Sequence, residues 1–270
     1  MMEPPPHPRR ASLLKVLLVL ATGVVLVLWL EWTPPGLLGK ADAVAYAVCH
    51  RISLRSFHLG DRQLPLCARC SGMYLGALIG LLYQLRQGKR GAMPPLKISI
   101  VLAAFLLAFG VDGINSYLHL FPHAPSLYEP HNWLRLATGT GLGIGIAAIL
   151  YPTFNQSMLA DWIPEPALQS GRQLAELLLL AGIIFVIVLS DNPLLLYPLA
   201  LLSSATVLLI LALIYTILWT YLFKQENRFT SWRSMWPLLL GGLLTALVQV
   251  AVMDVGRYAL TGTWAGFFSG

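Results

Sequence analysis

Charge is scarce in this 270-residue chain. Lysine, arginine, aspartate and glutamate make up 11% of it, against about 25% in an average soluble domain. With 57% hydrophobic residues and a mean hydropathy of +0.69, too little polar material exists to cover a soluble surface. The same figures exclude a disordered chain, which needs low hydrophobicity and high charge. Cysteine is also scarce. Three residues exclude a disulfide scaffold, so their placing matters more than their number. There is no H-E-x-x-H pair, serine elbow or phosphate loop. Gly139-Thr140-Gly141 lacks the preceding strand and the remainder of a nucleotide fingerprint. A net charge of +6 would point to nucleic acid in a soluble protein. Here the basic residues lie in short loops between apolar runs, where they set topology, and no nucleic-acid partner is expected.

What is present is a series of apolar runs. The first, 13–30, follows Arg9, Arg10 and Lys15 and has the form of a signal peptide. Trp29-Leu30-Glu31-Trp32 lacks the small residues of a cleavage site, and the Arg9-Arg10 spacing fits a twin-arginine signal imperfectly, so an uncleaved anchor is expected. Further runs cover 71–85, 96–118, 133–151, 174–190, 193–223 and 235–255. About 20 residues cross a bilayer core. The pattern predicts an all-α, polytopic membrane bundle of about seven spans, with six to eight admissible. Eleven Lys and Arg fall on one set of loops and seven on the other. The eleven-residue side should be cytoplasmic, with the N-terminus inside. The chain divides into a tail and anchor (1–35), a motif-bearing core (36–155) and a C-terminal three-helix region (156–270). The expected location is the cytoplasmic (cell) membrane, with the lipid bilayer as partner.

The first outer loop, 33–70, is the longest connection, and loops of that length are usually functional or disordered. It holds all three cysteines and five of the seven outer arginine and lysine residues, four of them between Arg51 and Arg69, and 41–49 reads as a short interfacial helix. Cys49, His50, Cys67 and Cys70 supply four donors of the kind zinc prefers, with His58 as a substitute ligand. A second reading uses Cys67 and Cys70 as a redox pair linked to quinone. A helix N-terminus and Arg69 would both favour the thiolate. A third makes the cysteines mere staples of the loop. Arg51, Arg55 and Arg69 would position an anionic group: a lipid phosphate, a small-molecule substrate or Asp112.

The motif itself, Cys49-His50-Arg51, Arg55-Ser56-Phe57 and Leu64-Pro65-Leu66-Cys67-Ala68-Arg69-Cys70-Ser71-Gly72, resembles the signature of a prokaryotic family of predicted membrane proteins of unknown function. Asp112-Gly113 and 132–139 match its later motifs. The resemblance covers roughly 40–150 and implies a membrane protein without implying an activity.

Asp112, Asn115, Ser116 and His119 share one face of the third span. A carboxylate at that depth needs a partner or a wet cavity. Arg135 is the expected partner, either as a helix-locking ion pair or as part of a catalytic, transport or proton site. His119, His123 and His131 lie in the following loop, and only His7 of the six histidines is expected inside. Asp254 and Arg257, one turn apart, are expected to pair. Glu31, Asp112, Arg135, Asp254 and the cysteine loop should converge near the outer face. Gly72, Gly76, Gly80 and Gly139, Gly141, Gly143, Gly145 read as helix-packing positions. Trp29, Trp32, Trp133 and Trp236 read as an interfacial belt. The favoured function is metal handling or metal-dependent chemistry at an outer-face site, with zinc or another soft transition metal. The alternatives are a quinone-linked thiol oxidoreductase and a transporter with an Asp112/Arg135 site.

Overall fold

The structure, a computed structural model, describes residues 8–119, 121 and 125–265. His7 and His123 lie outside them. Among the described residues eight α-helices predominate: α1 (Pro8–Trp32), α2 (Gly36–Val48), α3 (Ala68–Leu85), α4 (Leu96–Leu118), α5 (Asn132–Met158), α6 (Gly171–Leu189), α7 (Pro193–Leu222) and α8 (Trp232–Thr261). Six of them, all except α2 and α3, are long and apolar enough to cross a membrane. The protein is an all-α polytopic membrane bundle.

Local chemistry sets the helix ends. Pro95 precedes α4 in extended conformation, as the φ restriction of proline favours. Ser170 and Gln173 form a reciprocal capping box at α6. Asn192 caps α7 just before Pro193. Gly262, with φ of 66°, closes α8 in the left-handed region.

α3, with 18 residues, reaches about 27 Å, and its packing settles its course. A Cβ on Gly72 would strike the carbonyl of Leu136, one on Gly76 that of Thr140, and one on Gly80 the side chain of Ala147. From the other side, Gly139 abuts Arg69 and Gly143 abuts Met73 and Ala77. Contacts therefore advance together along both chains, so α3 and α5 run parallel, with α4 returning between them in sequence. Small residues permit this approach where apolar surroundings supply no hydrophobic drive. Gly141 instead faces Phe105 of α4, and Gly145 meets nothing within 4 Å.

α2 departs from the expected interfacial helix. Every residue from Ala41 to Ala47 is buried. It sits in a core with Trp29 of α1, Leu66, Val207 of α7 and Val250 of α8. α4, by contrast, buries only Ile98, Asp112, Asn115 and Ser116, so it is a flank rather than a centre. Between α2 and α3 lie a short 3-10 turn (Ser53–Arg55) and a hairpin of β1 (His58–Leu59) with β2 (Arg62–Gln63). Gly60, φ 62°, supplies the turn. At the opposite end of the bundle, β3 (Arg90–Ala92) pairs in parallel with β4 (Ile163–Pro166). Lys89 reaches Asp161 at 2.6 Å there.

Candidate metal centre and its basic neighbour

The three cysteines meet although 18 residues separate the first from the second. Cys49 ends α2 in extended conformation. Cys67 is the N-cap of α3 and Cys70 follows within its first turn. Positions three apart on a helix share a face, and the burial of α2 brings Cys49 to that face. All three Sγ atoms lie within 4.8 Å of one another. All are free thiols, Cys49 buried and the other two half-buried. The Cys49 sulfur accepts backbone N–H bonds from Arg51 at 3.5 Å and Cys67 at 3.4 Å. Arg51 reaches this position with a left-handed φ of 53°.

The trio divides its charge unevenly. Hydrogen bonds from Cys49 and Cys70, then the Cys70 backbone N–H and Arg69, hold the Cys67 thiol well below the ordinary range. Cys49, which hydrogen-bonds Cys67 and is buried, is pushed up to about 12. Of the three thiols, Cys67 is the one whose surroundings most favour loss of its proton.

His50 is exposed and outside this cluster, whose members among the described residues are the three cysteines. His58 is also outside it; its Nε2 lies 3.0 Å from Ser53 Oγ. His119 and His131 are exposed, and His131 stacks on Trp133. The expected four-donor set is thus brought together only for its sulfurs.

The C-terminal end of α8 clamps Cys49 from behind. Arg257 donates to the carbonyls of Tyr46 at 2.6 Å, Cys49 at 2.7 Å and His50 at 3.3 Å. Its guanidinium also lies over the Tyr46 ring at 3.9 Å, a cation–π geometry. The Tyr46 and Cys49 carbonyls lie in the last turn of α2 and at its C-cap, where a cation is favourable. The expected Asp254–Arg257 pair is replaced by this arrangement. Asp254 instead accepts from the indole N–H of Trp29 at 3.0 Å, which takes the buried Trp29 out of the interfacial belt. Trp32, Trp133 and Trp236 remain exposed, as does Glu31.

The arginines of the loop have separate partners. Arg51 reaches Asp42 at 2.9 Å and the Trp264 carbonyl at 3.0 Å. Arg62 takes the other Asp42 oxygen at 2.5 Å. Arg69, not Arg135, is the partner of Asp112. It binds the Asp112 carboxylate through Nε at 3.1 Å and again through Nη2, and Nη2 also reaches the Asp112 carbonyl and Ser116 Oγ. The close α3–α5 seam explains the exchange. It carries Arg69 over Gly113, where a Cβ would stand 3.6 Å from Nη1, an ordinary contact. Tyr128 donates to the second Asp112 oxygen at 3.0 Å and Thr138 lies at 3.4 Å. Burial, then Asp112, raises the Tyr128 hydroxyl above its ordinary value. Asp112 is fully buried and satisfied.

Arg55 donates to the Ser116 carbonyl at 2.8 Å. Arg135 donates from Nη1 to Asn132 Oδ1 at 2.8 Å, and its Nε is buried without a partner. Asn132 in turn donates to the carbonyls of Leu54 and Ser56, which flank Arg55. Asp42, Tyr46, Tyr128 and Arg257 were not singled out by motif for these roles. A lone acid seven residues before the first cysteine was a usable signal for Asp42; none existed for Tyr128.

With this geometry established, comparison with known proteins adds kinship. A family profile described as "Predicted membrane protein (DUF2085)" matches residues 49–149. An uncharacterised protein of Methanothermobacter thermautotrophicus is 34% identical over 104 residues, covering 38% of this chain and 83% of the relative. An uncharacterised protein of Methanocaldococcus jannaschii is 30% identical over 113 residues, covering 42% of this chain and 67% of the relative. No solved structure matches the chain. The family segment holds the three cysteines, Asp112 and Arg135, and it ends inside α5. The chain belongs to the DUF2085 family of predicted membrane proteins.

Proposed function

We propose that Cys49, Cys67 and Cys70 hold a soft transition-metal ion, zinc favoured, for metal handling or metal-dependent chemistry at the outer face of the cytoplasmic membrane. The observation that carries this is the convergence of three sulfurs within 4.8 Å, one of them accepting two backbone N–H bonds. Zinc–sulfur bonds of about 2.3 Å in a tetrahedron set sulfurs about 3.8 Å apart, a spacing within reach of small side-chain rotations. Three thiolates leave the fourth position open, the pattern of catalytic or exchanging sites rather than closed structural ones. Soft thiolates also suit Cu(I). The outer placement follows from the lysine and arginine bias of the opposite loops. Arg69 and the N-terminus of α3 favour the negative charge that a zinc–trithiolate carries.

The test is elemental analysis of the purified protein beside Cys67→Ser and His50→Ala variants. About one metal per chain, lost with Cys67→Ser and kept with His50→Ala, supports the three-sulfur centre. No metal in the parent protein overturns it.

The second reading, a quinone-linked oxidoreductase, is favoured by one observation: Cys67 caps the N-terminus of α3 with Arg69 and Cys70 in the first turn, surroundings that lower the Cys67 thiol. Oxidation of a Cys67 thiolate and the Cys70 thiol to a disulfide would release two electrons and one proton, and a quinone would accept them with a second proton from water to become quinol. Transport through Asp112 and Arg135 has less support, because Asp112 is closed off by Arg69, Tyr128 and Thr138.

A further inference from the structure

Five arginines of the cysteine end carry the inference by contrast. Arg51 and Arg62 share Asp42, and Arg69 is held by Asp112. Arg55 and Arg135 have no carboxylate within ion-pairing distance among the described residues. Among the described residues each guanidinium makes one hydrogen bond, although it carries five N–H donors. Arg135 is 6% exposed. A buried charge without a partner is costly, and native proteins pair it or present it to a ligand.

The two are also held together. Arg55 and Arg69 converge on one residue, through the Ser116 carbonyl and the Ser116 hydroxyl. Asn132 links Arg135 to the backbone on both sides of Arg55. Three guanidiniums therefore surround one carboxylate. Positive charge there exceeds what the one carboxylate offsets. Leu54, next to Arg55 in sequence, is 89% exposed, and Trp133, two positions before Arg135, is 51% exposed. An exposed tryptophan at a helix end belongs where a bundle meets lipid headgroups.

We propose that Arg55 and Arg135 form a binding site for a phosphate group, beside the cysteine cluster and separate from it. Planar guanidinium forks match phosphate oxygens in pairs. Arg135 is the buried floor and Arg55 the half-exposed rim. The phosphate comes either from a lipid headgroup or from a free phosphorylated molecule. Asp112 and Tyr128 hold Arg69 away from the ligand, so Arg69 contributes charge without a contact.

The test uses the full chain in detergent and two probes. One is radiolabelled inorganic phosphate in equilibrium dialysis at constant ionic strength. The other is phosphatidylglycerol against phosphatidylcholine, read as retention on the protein in native mass spectrometry. Phosphate or phosphatidylglycerol should bind the parent protein at one site. Binding should weaken at least tenfold in Arg135→Gln and Arg55→Gln, and less in Arg135→Lys, which keeps the charge and guards against simple misfolding. Arg172→Gln, at an exposed residue paired with Glu176, should bind as the parent does. Retention of the lipid alone identifies the headgroup as the source, and binding of inorganic phosphate identifies the free group. Binding that persists in Cys67→Ser keeps this site distinct from the metal centre, whatever that variant does to metal content. Failure of both probes in the parent, or equal binding in Arg55→Gln and Arg135→Gln, overturns the proposal and leaves Arg135 as a long-range counter-charge to Asp112.

Discussion

Removing the Asp112 carboxylate should reveal which arginine it serves. Asp112→Asn keeps the shape of the side chain and an acceptor for Tyr128, but leaves Arg69 without its ion pair. Breaking a buried pair from one side costs about 3–5 kcal/mol. The Arg69 side chain is 19% exposed against 1% for Asp112, so water relieves part of the loss, and the lower end, about 3 kcal/mol, is expected. Arg69→Gln should cost a similar amount by orphaning the carboxylate. The double variant should cost less than the sum, with a coupling of about 2 kcal/mol. The same cycle with Arg135→Gln should give under about 1 kcal/mol, because Arg135 touches Asn132 and not the carboxylate. The assay is reversible unfolding in mixed micelles under increasing SDS, followed by tryptophan fluorescence. A coupling to Arg135 equal to or larger than that to Arg69 would refute the assignment.

Other consequences follow from the seam and the clamp. Gly143→Ala would drive a Cβ into the Met73 carbonyl and to 2.6 Å from the Ala77 nitrogen. Backbone cannot yield, so thermal unfolding should show a loss of about 1–3 kcal/mol. Gly145→Ala, with nothing within 4 Å, should be neutral or stabilising by up to about 1 kcal/mol in the same assay. Arg257→Ala should free the Cys49 carbonyl and weaken metal retention by about 10–100-fold, the range seen when groups behind metal ligands are removed. Arg257→Lys should recover part of that in a chelator competition. Metal retention unchanged in Arg257→Ala would show that α8 does not position Cys49.

The spans were legible because apolar runs dominate composition, and α4 was readable at both ends because Pro94-Pro95 and a polar loop bound it. Helix α5 runs past Tyr151 to Met158, since Pro152 is accommodated inside a bundle that supplies other partners for freed backbone groups. α8 likewise extends to Thr261, because its polar residues Asp254 and Arg257 find partners on α1 and α2. The cysteine cluster was legible from spacing alone. His50 was assigned to it by adjacency, yet neighbouring side chains on extended backbone point apart. The Asp112 partner was misread because helical periodicity reports faces of one helix, not the depth at which a neighbour approaches. Gly139 and Gly72 set that depth, and with it the reach of Arg69. Arg257 was beyond sequence reading, since 208 positions separate it from the Cys49 carbonyl it holds.

The central claim is the three-sulfur metal centre, and X-ray absorption at the zinc edge tests it most directly. Protein isolated with its metal, or loaded with one equivalent of zinc and washed, should show three sulfur scatterers at about 2.3 Å and one nitrogen or oxygen at about 2.0 Å. Cys49→Ser should lower the sulfur count to two. A shell of nitrogen and oxygen alone, or zinc that washes away from the parent protein, would contradict the account.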